Sequence, residues 1–170
     1  AMRRFPVVTL LAVAALVHAS LPLLAQDAAT PRVLASRLDL KGLLGAIVAR
    51  ARNLLGSDLA WLSIYDSQSG EFHVLVADGA LSQRVSQMVA RRDRGVASIV
   101  MSTKLPFTTA DYLHDNRFPH DAGLDDTFRE EGIGALVGVP LIWECEVIGL
   151  LFVADRYHRQ YMAQTISILG

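Results

Sequence analysis

The sequence predicts an α+β domain built on an antiparallel sheet, and three observations predict it. Strand-like segments follow one another in pairs joined by short turns, helical segments gather around those pairs, and the strand-helix-strand alternation of a parallel sheet does not occur. At 170 residues the chain has the length for one domain with a real core and not for two comfortable ones. Lys and Arg number 16 against 17 Asp and Glu, so no field of one sign draws in a polyanion, and this segment is not expected to contact nucleic acid directly. The one cysteine, Cys145, excludes an internal disulfide framework and a multi-cysteine zinc site within one chain, and it fits a reducing, cytoplasmic setting.

The first element spans residues 1–32. "MRRFPVVTLLAVAALVHASLPLLAQDA" has a basic start, an apolar middle and small residues near Ala19 and Ala25, the layout of a secretory signal. Its uninterrupted apolar run falls short of the roughly 20 residues a membrane span needs. With Ala1 standing before Met2, it is read as a signal-like but packing helix, docked on its own domain or on a second copy, with no membrane contact. Pro22 and the turn-forming "QDAATPR" stop it near Ala25.

The remaining domain runs over 33–170. Leu40, Leu43, Leu44, Ile47, Val48, Ala51, Leu54 and Leu55 recur at helical spacing between Leu38 and Leu55, and Gly56 supplies the stop. "DLAWLSIYD" then alternates, with Trp61, Ser63 and Tyr65 on one face and Ala60, Leu62 and Ile64 on the other, a strand covered on both sides. "SQSG" turns the chain into "EFHVLVADG", its antiparallel partner. "LSQRVSQMVA" and "GVASIVMSTK" each predict a short helix, separated by the basic "RRDRG". A short strand at "LPFTTA" leads into the polar, aromatic loop "TADYLHDNRFPHDAGLDDTF", which ends in a helix across "DDTFREEG" capped by Asp125 or Asp126. "IGALVGVPLIWE" and "EVIGLLFVAD" are β-branched strands joined by a tight turn at Glu144 to Glu146, and a final helix begins at "MAQTISIL". First and last helices, apolar on one side, are expected to pack on one face of the sheet and leave the other face to the central loop, which makes a pocket.

Several residues have chemistry to offer. His114 and His120, with Asp111, Asp115, Asp121, Asp125 and Asp126, are ligand-type side chains, but two histidines six apart in a loop match no short metal clip, and a hydrogen-bonded loop is the plainer reading. "EGIGALVG" looks like a phosphate loop, yet its glycines precede a strand where such loops open a helix; Gly132 is read as a helix stop and Gly134 as a close backbone approach. Cys145 lies between Glu144 and Glu146, which raise a thiol pKa, so it is a turn thiol and not a nucleophile. Arg84, Arg91, Arg92 and Arg94 form a basic cluster, either a solvated helix end or an anion contact.

Two stretches carry a family resemblance. "LASRLDLKGLLGAIVARARNLLGSDLAWLSIYD" and "FREEGIGALVGVPLIWECEVIGLLFVAD" resemble the leading helix, first strand and characteristic strand pair of GAF domains, and the match covers about Val33 to Leu169. More narrowly, "FTTADYLHDNRFPHDAGLDDTFREEGIGALVGVPL" is similar to the GAF domains ahead of helix-turn-helix segments in bacterial transcriptional regulators. The resemblance implies a GAF/PAS-like six-stranded antiparallel sheet, terminal helices on one face that form a homodimer, and loops plus short helices over the other face. It also implies a small-molecule effector, aromatic or purine-like, under the loop, held by Phe107, Thr109, Tyr112, His114, Phe118, His120 and Phe128 over a floor of Trp61, Ser63 and Tyr65. Where cyclic-nucleotide-binding members carry an Asn-Lys, Phe, Asp-Glu signature, this chain reads Asp155-Arg156, Tyr161 and Gln164-Thr165, which speaks against a cyclic nucleotide. The cysteines of bilin-binding and methionine-sulfoxide-reducing members are missing, so neither cofactor nor catalysis is expected. Rival readings are a kinase or cyclase sensor, a dimerisation module with no ligand, and a metal-dependent enzyme using His114 and His120.

Overall fold

The computed structural model describes the backbone of residues 31–163 and 169, with side chains from residue 40 onward. The apolar helix expected before Ala25 lies outside the described residues, as do residues 164–168 of the expected last helix.

Helix α1 runs over Pro31–Leu55, an earlier start than the expected Leu38. Proline suits the first helical position, because its fixed φ is already helical and its missing N–H would have had no partner there. The helix stops where the sequence places its glycine: Gly56 has φ of 59°, and the N–H groups of Gly56 and Ser57 close on the carbonyls of Asn53 and Arg52 at 3.1 and 3.0 Å. Strands β1 (Leu59–Asp66) and β2 (Glu71–Asp78) form the expected hairpin. Asp66 accepts from the Gln68 N–H at 3.0 Å, and Gly70 supplies the left-handed residue at φ of 74°.

The next segment departs from expectation. In place of a helix over 81–90 the chain makes a 3-10 turn at Gln83–Gln87 and then a two-residue edge strand, β3 (Val89–Ala90), which pairs with Phe72 and His73 of β2. A helix this short is marginal by itself. The Glu131 carboxylate holds the Leu81 and Ser82 N–H groups at 2.9 and 2.7 Å, so the chain enters the segment already tied down and completes the open edge of β2. This is the sixth strand.

Helix α2 (Gly95–Thr103), strand β4 (Phe107–Thr109) and a 3-10 turn at Tyr112–His114 come next, then helix α3 (Ala122–Glu131). The cap of α3 is Asp121 and neither Asp125 nor Asp126, which lie inside the helix. Asp121 Oδ1 accepts the Leu124 N–H at 3.1 Å while Arg94 donates to Oδ2 at 3.1 Å, so the arginine holds the capping carboxylate in place. Gly132 ends the helix at φ of 71°. Strands β5 (Ala135–Trp143) and β6 (Glu146–Asp155) are joined through Glu144 and Cys145, both left-handed at φ of 47° and 69°, the conformation of a two-residue hairpin turn.

The six strands are antiparallel in the order β3-β2-β1-β6-β5-β4. Alternation sends each strand's side chains to two faces. On one, Leu44, Val48, Ala51 and Leu55 of α1 pack on Ala60, Leu62, Val137, Leu151 and Val153. Each fully buried Leu or Val contributes roughly 1.5 to 3 kcal/mol. On the other face, Leu59, Trp61, Phe152 and Leu136 meet α2, α3 and the loop between β4 and α3.

Candidate functional site

The loop-facing side is built around aromatic rings that the sheet register brings together. Trp61 of β1 pairs with Phe152 of β6, so both side chains point the same way and stack with centroids 5.0 Å apart. Phe152 also pairs with Gly138 of β5, where a Cβ would come within 2.8 Å of the Phe152 ring. Glycine there is what lets the ring lie across the strand. Phe128 of α3 meets Trp61 edge-on at 5.9 Å, and Tyr112 meets Phe128 at 4.4 Å.

Between these groups lies a cavity of about 20 Å³. Its floor is Trp61, Ser63, Leu136 and Phe152; its walls are Met88, Val89 and Ala90 on one side with Val96 and Ala97 of α2 on the other; Tyr112, Leu124 and Phe128 close it. That volume holds about one water. The surroundings are apolar except for Ser63 and Tyr112. The Tyr112 hydroxyl is fully buried and makes no well-formed hydrogen bond, with the Asp125 carboxylate as the acceptor beside it. Burial, with the Asp125 and Asp121 carboxylates nearby, pushes its pKa far up, so it is an O–H donor throughout the physiological range.

A second, open hollow of about 270 Å³ adjoins the cavity. Arg84, Gln87 and Arg91 line one bank, and Asp121, Gly123 and Thr127 of α3 the other. Met88, Val89 and Leu124 belong to both hollows and separate them.

Behind α3 sits a buried ionic group. Glu131 has no exposed side-chain surface and accepts from Leu81, Ser82 and Arg156, the last at 3.1 Å. Burial alone would raise its pKa; the N–H donors of Leu81, Ser82 and Arg156 outweigh that and hold it below the ordinary value. Arg156 also donates to the Gly79 carbonyl at 2.8 Å and the Glu131 carbonyl at 2.9 Å. Just beyond, Asp155 accepts from Arg159 at 3.1 Å and from the Tyr161 hydroxyl at 2.7 Å. Asp155 and Tyr161, at the cyclic-nucleotide signature positions, thus take each other as partners.

Of the ten residues expected to hold an effector, Trp61, Ser63, Tyr112 and Phe128 line the cavity. Phe118 is buried against Tyr112 at 5.1 Å, and Phe107 meets Phe118 at 6.1 Å, so these two support the cover from outside the hollow. Thr109 is buried in β4 opposite Leu136. Tyr65 lies at the far end of β1, where it packs on Phe72 at 5.2 Å and is 37% exposed. His120 bridges the loop to α3, with Nδ1 3.1 Å from Asp125 Oδ1 and Nε2 3.2 Å from the Asp115 carbonyl. His114 projects to solvent and pairs with Asp111 at 3.0 Å. Among the described residues no three His, Cys, Asp or Glu side chains converge as metal ligands.

Sequence reasoning missed Met88, Val89, Ala90, Val96, Ala97, Leu124, Leu136 and Phe152. Leu136 and Phe152 were legible, since alternation from Trp61 across the β-branched strand pair places them on its face; the others depend on how the short segments fold over the sheet. The basic cluster resolves into ion pairs: Arg84 with Glu130 and Arg91 with Glu71, each at 2.8 Å, Arg94 with Asp121 at 3.1 Å and Arg91 with the same Asp121 oxygen at 3.8 Å, while Arg92 lies over the Tyr65 ring.

Comparison with known proteins places this geometry. Residues 39–169 match the model of the GAF domain. No curated relative matches the sequence. Among solved structures, the chain is similar to the GAF domain of a phosphoenolpyruvate-protein phosphotransferase from Coxiella burnetii, with TM-score 0.62 and 19% identity over 81% of this chain and 84% of that one. It is also similar to a domain of a two-component sensor histidine kinase protein from Sinorhizobium meliloti 1021, with TM-score 0.60 and 20% identity over 76% and 83% of the two chains. The PixJ GAF domain of Thermosynechococcus elongatus, solved in its blue-light-absorbing form, gives TM-score 0.65 and 18% identity over 84% and 83%. At such identities the likeness is one of fold. Among the described residues no helix is long and apolar enough to cross a membrane.

Proposed function

We propose a function on the premise that this chain belongs to the GAF domain family: it is the effector-sensing domain of a cytoplasmic bacterial transcriptional regulator, dimeric through its terminal helices and signalling to a DNA-binding domain outside this chain. One observation carries the sensing part. Helix α3 supplies Leu124 and Phe128 to the cavity and, one turn later, Glu131 to the ionic group that holds Arg156. Arg156 is the first residue after β6, where the chain leaves the sheet. An effector that wedges the cavity open must move α3, and α3 moves the departing chain through a charge-assisted contact. The switch is a population shift between two placements of α3, and a coupling of about 1 to 3 kcal/mol suffices.

Dimerisation rests on α1. Leu40, Leu43 and Leu54 remain 41%, 50% and 55% exposed, and at helical spacing they form an apolar stripe beside the one that packs on the sheet. A second copy is the natural cover.

The size of the cavity favours one other reading, a dimerisation module whose pocket is filled by its own side chains. A thermal-shift screen with aromatic acids, purines and nucleotides separates the two. An effector at 100 times its dissociation constant adds about 2.7 kcal/mol to stability; no shift with any compound favours the module. For the regulator role, deleting the output domain from the complete protein leaves effector binding intact and abolishes the transcriptional response. A kinase or cyclase activity in the complete protein would replace that role with another output.

A further inference from the structure

On the reading that this domain holds an effector, we propose that the apolar cavity and the polar groove beside it are two halves of one site for a small aromatic carboxylate. Its ring lies on Trp61 and Phe152, its carboxylate faces Arg84 and Arg91, and Met88 with Leu124 is the partition it displaces.

Neither hollow suits an aromatic ligand alone. The cavity, at about 20 Å³, has the apolar walls without the room, since a ring the size of benzene needs roughly 150 Å³. The groove, at about 270 Å³, has the room with few apolar walls. They share Met88, Val89 and Leu124, so moving two side chains joins them. Both are movable. Met88 is an unbranched thioether at the end of a five-residue 3-10 turn, and Leu124 is half-buried in the first turn of α3.

The polar groups at the two ends differ in kind, and that difference sets the ligand's chemistry. At the inner end the Tyr112 hydroxyl is a buried donor with no well-formed hydrogen bond, the Asp125 carboxylate being the acceptor nearby, and a ring hydroxyl or carbonyl on the guest offers it a better partner. At the outer end, Arg84 and Arg91 face a groove whose one carboxylate, Asp121, is hydrogen-bonded by the Leu124 N–H and Arg94 and lies 3.8 Å from Arg91, an ion pair with which an incoming carboxylate competes. Each of these two guanidiniums commits one N–H at 2.8 Å, to Glu130 and Glu71 respectively, out of five donors. Those exposed pairs are weak, so an incoming carboxylate competes for the remaining N–H groups. A cationic guest meets two guanidiniums and is rejected.

Titration calorimetry on the 170-residue chain tests this with benzoate, 4-hydroxybenzoate and the neutral isostere benzamide. The wild type binds benzoate at least about tenfold more tightly than benzamide, the scale expected of one charge-assisted contact. The double variant Arg84→Gln, Arg91→Gln loses that preference and keeps its benzamide affinity. Tyr112→Phe abolishes any gain of 4-hydroxybenzoate over benzoate, Met88→Ala tightens all three, and Met88→Trp blocks all three while its circular dichroism melt stays cooperative. Equal affinity for benzoate and benzamide, or a carboxylate preference that survives the double variant, overturns the ligand class and leaves the sensing role standing. Failure of all three compounds on both wild type and Met88→Ala, with another compound class giving a thermal shift, does the same. If no compound of any class binds either protein, the sensing role falls with it.

Discussion

The two faces of the sheet are packed from different materials. Beneath α1 the side chains are almost all aliphatic, Leu44, Val48, Leu62, Val137, Val153 and their neighbours, with Tyr161 as the aromatic exception. Beneath the loop, aliphatic chains such as Leu59, Val85, Val100, Leu136 and Leu150 are joined by six aromatic rings, Trp61, Phe72, Tyr112, Phe118, Phe128 and Phe152, and by Met88 and Met101. Branched aliphatic chains interlock with few rotamers and leave little space. Large flat rings with flexible thioethers leave crevices, and here they surround a cavity and a hydroxyl without a well-formed hydrogen bond. One face is a foundation for the fold. The other accepts some packing loss around the Tyr112 hydroxyl.

That contrast can be broken by mutation, starting from its largest expected effect. Leu62→Ala, on the α1 face and 3% exposed, leaves a cavity among chains that cannot close over it, and is expected to cost about 2 to 5 kcal/mol in urea unfolding. A loss under about 1 kcal/mol would mean that this face is as loose as the other. Glu131→Ala strands Arg156 and two N–H groups, with an expected cost of about 3 kcal/mol. It should also raise amide exchange at Leu81 and Ser82; unchanged exchange there would disconnect α3 from the departing chain.

Asp115 probes the loop's own rigidity. The Arg117 side chain hydrogen-bonds its carboxylate and, against the opposing effect of burial, pulls the pKa down to about 2 from an ordinary 3.8. A carboxyl lowered on folding contributes stability that is complete above its unfolded value and lost as the pH falls through its folded value. Asp115→Asn should therefore cost no more than about 1 kcal/mol at neutral pH and flatten the stability curve between pH 3.8 and about 2. Equal slopes for wild type and variant in that window would show that the ion pair does not hold the loop. Smallest of all is Tyr112→Phe. Since the hydroxyl makes no well-formed hydrogen bond, its removal should change stability by under about 0.5 kcal/mol or raise it slightly, where the loss of a satisfied buried hydroxyl costs more. A loss above about 1 kcal/mol would reveal a satisfied hydroxyl on the loop face.

How much could be read in advance differs between the same two faces. Leu44, Val48, Ala51 and Leu55 announce a packed helix by spacing, and Gly56, Gly70 and Gly132 mark its stop, a turn and a second stop, because each requirement is local. The expected packing of the first and last helices together falls partly outside the described residues. Strand β3 escaped notice because two residues cannot show a period, and the helix expected there lost to pairing with an open edge. Asp121 and not Asp125 caps α3 because Arg94, far off in sequence, holds the nearer carboxylate, which leaves Asp125 to His120. The aromatic loop was recognisable as a cover, yet His114 faces solvent while Met88 and Leu124 stand at the partition.

Composition and period alone determined that this chain folds as an α+β antiparallel domain with an aliphatic helix seat, since burying an alternating or a 3.6-residue stripe is a requirement each segment carries within itself. Which side chains share a cavity was decided only in three dimensions. Trp61 meets Phe152, and Glu131 meets Arg156 and Leu81, across dozens of residues. Such meetings depend on strand register and on the placement of α3, and no single segment encodes either.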